Sequence, residues 1–225
     1  MARTKIKRMF ALLLDPEYQP VSKYALAKKT GCDPSWAIKL VKKLEKKGLV
    51  KNLKVTNAKG LFELFHKLRP KKRVSRSYSI YSLDNVDKLI DLFKKSNKEY
   101  AFTTYIAENT LQKHLFSHRA EAYIKKEDLD EWHKELTAIG TYGGGNVRIV
   151  VSSNDELFNK KRIHDKIAGK KSFNAKNAEV KKESEGPWIV NIPQLISDLY
   201  AEGGPAAEAA DMLLEKLVKA LKERK

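Results

Sequence analysis

The sequence predicts a mixed α/β protein, with a basic helical module first and then a layered region of strands and helices that closes on two further helices. Three observations carry this. Positive charge is concentrated: residues 1–75 hold 20 Lys and Arg against 5 Asp and Glu, in a 225-residue chain whose total is +17. Apolar residues recur at helical spacing through the first 70 positions. From residue 78 onward, short β-like runs alternate with helical ones, the pattern of strands and helices packed in layers.

The elements of the basic third follow from local signals. KIKRMFALLLDP predicts a short amphipathic helix closed by Asp15-Pro16, because proline disfavours helix at the residue before it. VSKYALAKKTG predicts a second helix, with Ser22 placed to cap its first amides and Gly31 placed to end it. Asp33 and Pro34 then stand at the N-cap and first helical positions of a third helix, PSWAIKLVKKLEKKG, which stops at Gly48. Its Ala37, Leu40, Val41 and Leu44 fall at i, i+3, i+4 and i+7 and predict one buried stripe.

Ser35, Trp36, Lys39, Lys42, Lys43 and Lys46 fall on the opposite side of that helix. A tryptophan among four lysines suits a polyanion better than it suits plain water. Lysines meet phosphates, while Ser35, Trp36 and Lys39, near the helix N-terminus, are placed for base edges. Packing of Trp36 against a neighbouring helix is the competing reading.

The stretch LAKKTGCDPSWAIKLVKKLEKKGLV resembles the helix-turn-helix of winged-helix transcription regulators. The points of likeness are Leu26-Ala27, Gly31 in the turn, and the ending Leu44 to Val50. The resemblance implies a winged helix-turn-helix DNA-binding domain over residues 1–70. Its wing would be minimal, since Lys51 to Val55 allow one short strand before Asn57 caps another helix through Leu61, Phe62, Leu64, Phe65 and Leu68. Residues 1–75 are expected to fold and bind duplex DNA by themselves.

RPKKRVSRS lacks helical periodicity and places a basic linker at 71–77. Its Lys71, Lys72 and Arg73 are either a solvated spacer or an arm on phosphates. Residues 78–225 are then expected to form an α/β effector or interaction domain. YSIYS, YAFTT, AEAYI and NVRIVVS read as strands, and the runs starting at Asp84, Tyr105 and Lys126 as helices. Residues 160–182, with nine Lys and Arg and two Asp and Glu, read as a mobile basic loop or a further polyanion contact.

Enzyme chemistry finds little support. Gly143, Gly144 and Gly145 sit where a helix ends and a strand begins, whereas a phosphate loop needs a strand before it and a helix N-terminus after it. The triplet reads as a tight connection needing positive φ. His114 and His118 have paired-ligand spacing but no third ligand, so neither a metal nor a cofactor is expected. Cys32, the single cysteine, reads as a small buried turn residue and excludes an intramolecular disulfide. Asp84, Asp87 and Asp91 have ordinary surface spacing on one helix, so no catalytic set is expected. Met9 to Leu14, the longest apolar run, is too short to cross a bilayer, and no secretory pattern follows the basic start. The expectation is a soluble cytoplasmic protein without a membrane partner.

After residue 187 the sequence predicts a short strand and two helices, the first ended by Gly203 and the second opened by Pro205. Ala206, Ala210, Leu213, Leu217 and Leu221 form the inner stripe of the last. IPQLISDLYAEGGPAAEAADMLLEKL resembles the C-terminal signature of the antitoxin family of type IV abortive-infection toxin–antitoxin systems, in Asp198-Leu199, Gly203-Gly204 and Glu208-Ala209-Ala210. AEAYIKKEDLDEW and GGNVRIV are similar to relatives that carry an N-terminal winged helix. Pro205 stands where the family often has arginine. The resemblance implies a transcription repressor, in some members the antitoxin of a nucleotidyltransferase-like toxin.

The expected function is therefore a sequence-specific DNA-binding regulator. Self-association is expected too, because one such domain covers only a short half-site. An RNA-binding module and a nucleic-acid-processing enzyme are the alternatives.

Overall fold

The computed structural model describes residues 2–70, 73–81, 85–116, 119–152, 155–158 and 187–224, and in these the chain is mixed α/β. Its residues group into two units. One is Met1–Lys71 with Asn191–Ala201 and Ala210–Lys225; the other is Lys72–Val190 with Glu202–Ala209. This departs from the expected boundary, which put all of 78–225 in the second domain. The amphipathic pattern of the last two helices says which face is buried, and not against which partner.

The first unit holds α1 (Ala2–Leu13), α2 (Lys23–Thr30), α3 (Pro34–Lys46), the short strands β1 (Val50–Lys51) and β2 (Lys54–Val55), and α4 (Ala58–Lys67). It also takes all but the last residue of a helix at Ile192–Glu202 and most of one at Pro205–Lys222, here α8 and α9. Met9, Leu13, Leu14, Leu26, Ala37, Val41, Leu61, Leu195, Ile196, Leu199, Leu213 and Leu217 are fully buried. Every member of the predicted stripe of α9 is buried as well.

Polar groups fix α8 to the N-terminal helices. The buried Asp198 accepts from Arg69 Nε at 3.4 Å and from Gln194 Nε2 at 2.9 Å. Gln194 Oε1 accepts from Lys7 Nζ at 2.7 Å, and His66 Nδ1 is hydrogen-bonded to Ser197 Oγ at 3.0 Å. Near the C-terminal end, Arg224 donates to the carbonyls of Tyr18 and Asp15 at 2.8 and 3.0 Å. An isolated 1–75 fragment would lack all of these partners, which removes the physical basis for expecting it to fold alone.

The second unit contains β3 (Ser75–Ser79), α5 (Val86–Lys95), β4 (Tyr100–Thr103), α6 (Thr104–Leu111), β5 (Ala120–Lys125), α7 (Leu129–Ile139), β6 (Thr141–Tyr142) and β7 (Val147–Ser152). The strands form one sheet in the order β4-β5-β7-β3-β6, with β5 and β7 parallel and the other neighbours antiparallel. Residues paired across strands share a face. Tyr100, Phe102, Ala120, Ala122, Ile124, Val147, Ile149 and Tyr78 thus make one apolar surface, which packs in one core with Leu89 and Phe93 of α5 and Trp132 and Leu136 of α7.

Several local expectations need correction. β3 begins at Ser75, so the last three residues of the expected linker are strand. Ser-Arg-Ser has weak strand propensity, and pairing of Ser75, Arg76 and Ser77 with Val150, Ile149 and Arg148 fixes it. α6 ends at Leu111, so His114 lies beyond the helix and exposed, while His118 falls outside the described residues. The glycine triplet joins two strands, β6 and β7, with φ of 100°, 68° and 85°. A Cβ on Gly145 would lie 2.4 Å from the Tyr78 carbonyl oxygen, so the backbones meet where only glycine fits. The strand expected after residue 187 is a single bridge from Ile189 to Phe102. The basic stretch 160–182 lies outside the described residues.

Candidate nucleic-acid interface

Two capped helices and a tight turn set the candidate interface. Ser22 Oγ accepts from the Ala25 amide at 3.0 Å and opens α2. Gly31 closes it at φ 65°, a left-handed value that would strain a residue with a Cβ. Asp33 Oδ1 accepts from the Trp36 amide at 3.0 Å and Pro34 starts α3, as the residue types required. Thr30 and Cys32 are buried at the turn, and the Lys23–Glu45 ion pair at 3.1 Å ties α2 to α3.

This frame sets the direction in which α3 faces. Ala37, Val41 and Leu44 are buried, and Leu40 at the flank is half-buried. Ser35, Lys39, Lys42, Lys43 and Lys46 are all exposed, and Trp36 is half-buried at the edge of their face. Glu45, the one acid in the helix, is engaged by Lys23, so no carboxylate interrupts the lysines. At 1.5 Å per residue, Lys39 to Lys46 covers about 10 Å of helix.

After α3 the chain makes a hairpin, where one strand was expected. Val50 pairs with Val55 and Lys51 with Lys54. The two tip residues, Asn52 and Leu53, have φ of 50° and 64°, the signature of a type I′ turn. The turn escaped the sequence reading because it has no glycine. Leu53 is buried and anchors the tip, Thr56 Oγ1 donates to the Gly48 carbonyl at 2.8 Å, and Lys51, Asn52 and Lys54 stay exposed.

Not all of the basic charge is available to a ligand. Arg3 donates to the carbonyls of Lys67 and Arg69 at 3.2 and 3.3 Å, and Lys7 lies 5.1 Å over the Phe65 ring. Arg73 donates to the Tyr123 hydroxyl with its guanidinium 5.7 Å from that ring, so it is held within the second unit. Lys71 and Lys72 lie outside the described residues.

The second unit carries a polar cluster that the sequence did not reveal. Glu121 on β5 is fully buried, 3.8 Å from Arg119 and 3.6 Å from Arg148, and Glu202 reaches Arg119 at 2.7 Å. Two guanidiniums and two carboxylates balance, so the cluster is an internal tie from strands β5 and β7 to the segment at Glu202. Glu108 is also buried and accepts from the amides of Leu115 at 2.8 Å and His114 at 3.3 Å. Among the described residues, no group of three or more His, Cys, Asp and Glu is placed to hold a metal, and no helix is long and apolar enough to cross a membrane.

Comparison with protein-family models, with curated proteins and with solved structures gave no match.

Proposed function

We propose that the protein is a sequence-specific DNA-binding transcription regulator that docks α3 on duplex DNA, with repression as its output. The observation that carries this reading is the outward face of α3: Lys39, Lys42, Lys43 and Lys46 exposed, no acid among them, and Ser35 and Trp36 at the capped N-terminal end. Each lysine that neutralises a phosphate releases a condensed counterion, so binding to a duplex gains entropy and becomes steeply salt-dependent. The first turns of such a helix are the ones that reach base edges, which assigns Ser35, Trp36 and Lys39 to reading and the later lysines to gripping.

The likeness of the C-terminal stretch to type IV antitoxins supports the repressor role, and through it a nucleotidyltransferase-like toxin as protein partner. Useful specificity needs two half-sites, which favours a homodimer on the operator. The deciding measurement is binding of the full-length protein to duplex DNA and to structured RNA in competition, over a salt series. Preferential retention of duplex DNA with a steep salt slope supports the reading. A flat slope, or displacement of the DNA by RNA, refutes it.

A further inference from the structure

The chain is 32% charged, yet two runs of twelve residues, 136–147 and 186–197, carry no charged residue at all. Burial accounts for the second, since its described residues 187–197 are buried or half-buried. It does not account for the first, in which residues 137–139 and 141–145 are exposed. That run forms the end of α7, β6 and the glycine triplet, and β6 lies against β3, whose residues 77–79 and the two that follow are uncharged as well. Gly140 sits against the Ile80 backbone, which brings Ile139 and Tyr81 to the same place. Three of the eight exposed large hydrophobics among the described residues therefore gather here: Tyr81 at 83%, Tyr142 at 61% and Ile139 at 44%. The one cation of β3, Arg76, is engaged by Asp130 at 3.4 Å.

The backbone is open at this place too. The sheet runs β4-β5-β7-β3-β6, and its two edges differ. Beside β4, the Phe102 amide donates to the Trp188 carbonyl at 2.7 Å and the Phe102 carbonyl accepts from the Val190 amide at 2.9 Å. Beside β6, no further strand lies among the described residues, and β6 itself pairs only with Tyr78 and Ser79 of β3. Natural sheet edges are commonly guarded by lysine or proline, and neither uncharged run at this edge holds either residue. Tyr142 is held ready for contact: its ring packs edge-on against Tyr78 and His133, with centroids 5.7 and 5.4 Å away, while most of it faces outward. Aromatic side chains fixed in this way are the usual anchors of interfaces.

We propose that this edge is the self-association surface of the protein, where β6 of one copy and β6 of a second lie antiparallel across a two-fold axis, with Tyr81, Ile139 and Tyr142 packed around them. Two identical edges paired antiparallel are self-complementary, so the assembly closes at two copies. Charge favours a second copy as the occupant. Neither run offers a cation to phosphate, and two chains of +17 each approach at least cost through a face without charge. The inference names the surface of the homodimer proposed above and rests on that reading for its use, the placing of two half-sites; the surface itself is argued without DNA.

The test is sedimentation velocity of the full-length protein without nucleic acid, from nanomolar to high micromolar concentration. The parent should pass from one copy to two and go no further. Tyr81→Lys and Thr141→Lys each bring like charges together across the axis, and each should raise the dimer dissociation constant by about tenfold or more. Gln19→Lys adds the same charge at an exposed position elsewhere and should leave that constant within about twofold. Circular dichroism and urea midpoints confirm that the variants are folded, and substitutions on two different segments keep the result readable if one of them is not. A parent that stays monomeric, a mass that grows beyond two copies, or lysine variants that associate as well as the Gln19→Lys control would overturn the inference. Such a failure leaves duplex binding by α3 standing, because no DNA takes part; the salt-series competition decides that separately.

Discussion

Replacing Lys42, Lys43 and Lys46 together with glutamine tests the gripping face of α3 at its centre. All three are exposed and none is part of the buried stripe, so the helix keeps its packing and its good helix formers. If each lysine neutralises one phosphate, each contributes about −0.9 to the slope of log K against log salt. The triple variant should therefore be shallower by roughly 2.7. Between 50 and 200 mM salt, that is about 40-fold less loss of affinity than the parent suffers. The measurement is fluorescence anisotropy of a labelled duplex with full-length protein, at four or more salt concentrations. Circular dichroism and urea midpoints should confirm an unchanged fold. A triple variant with the parent's slope would show that phosphates lie elsewhere and that this face is solvated surface.

Lys39→Ala or Trp36→Ala should lower the preference for selected over random duplex by about 1–3 kcal/mol each, while a change that weakens both duplexes equally would remove these residues from the reading set. Asp198→Ala should lower full-length stability by about 1.5–3 kcal/mol in urea unfolding, because Arg69 and Gln194 lose a charged acceptor; an unchanged midpoint would show that the network holds nothing. Deleting residues 191–225 should strip the first unit of its core partners and abolish duplex binding, whereas a truncated chain that still binds DNA with the parent's affinity would reinstate the N-terminal third as an independent module. Burial first, and then the charge of Arg69, hold the His66 imidazole below its usual 6.5, so the unfolded chain takes up its proton before the folded one does. The stability this gives is present above pH 6.5 and declines as pH falls from there through the lowered folded value; His66→Gln should flatten that decline, and an identical pH profile in the variant would exclude His66 as its source.

How far the sequence disclosed the fold depended on the range of each signal. Caps act over three residues, so Ser22, Asp33 and Asn57 could be assigned by type, and each accepts the amide expected of it. The outward face of α3 was legible too, since periodicity alone separates Ala37, Val41 and Leu44 from the lysines. What needed partners distant in sequence was not. The start of β3 depends on β7, more than seventy residues later, and Ser75 and Ser77 carry no strand signal of their own. The ion cluster of Glu121, Arg119, Arg148 and Glu202 joins four positions whose individual types read as surface. The hairpin tip was hidden because Leu53 is not a residue type that announces a left-handed turn.

The first unit combines the opening 71 residues with two segments that begin at Asn191 and Ala210. On a ribosome adding about 5–20 residues per second, α2 and α3 would emerge roughly 8–30 s before the helices that complete their core. For that interval the nascent chain carries its lysines without their finished scaffold. An abortive translation product that stops between α3 and α9 would therefore carry the lysine-rich surface without the structure that aims it. On the proposed function, quality control over which polypeptides reach DNA would then be written into the order of synthesis.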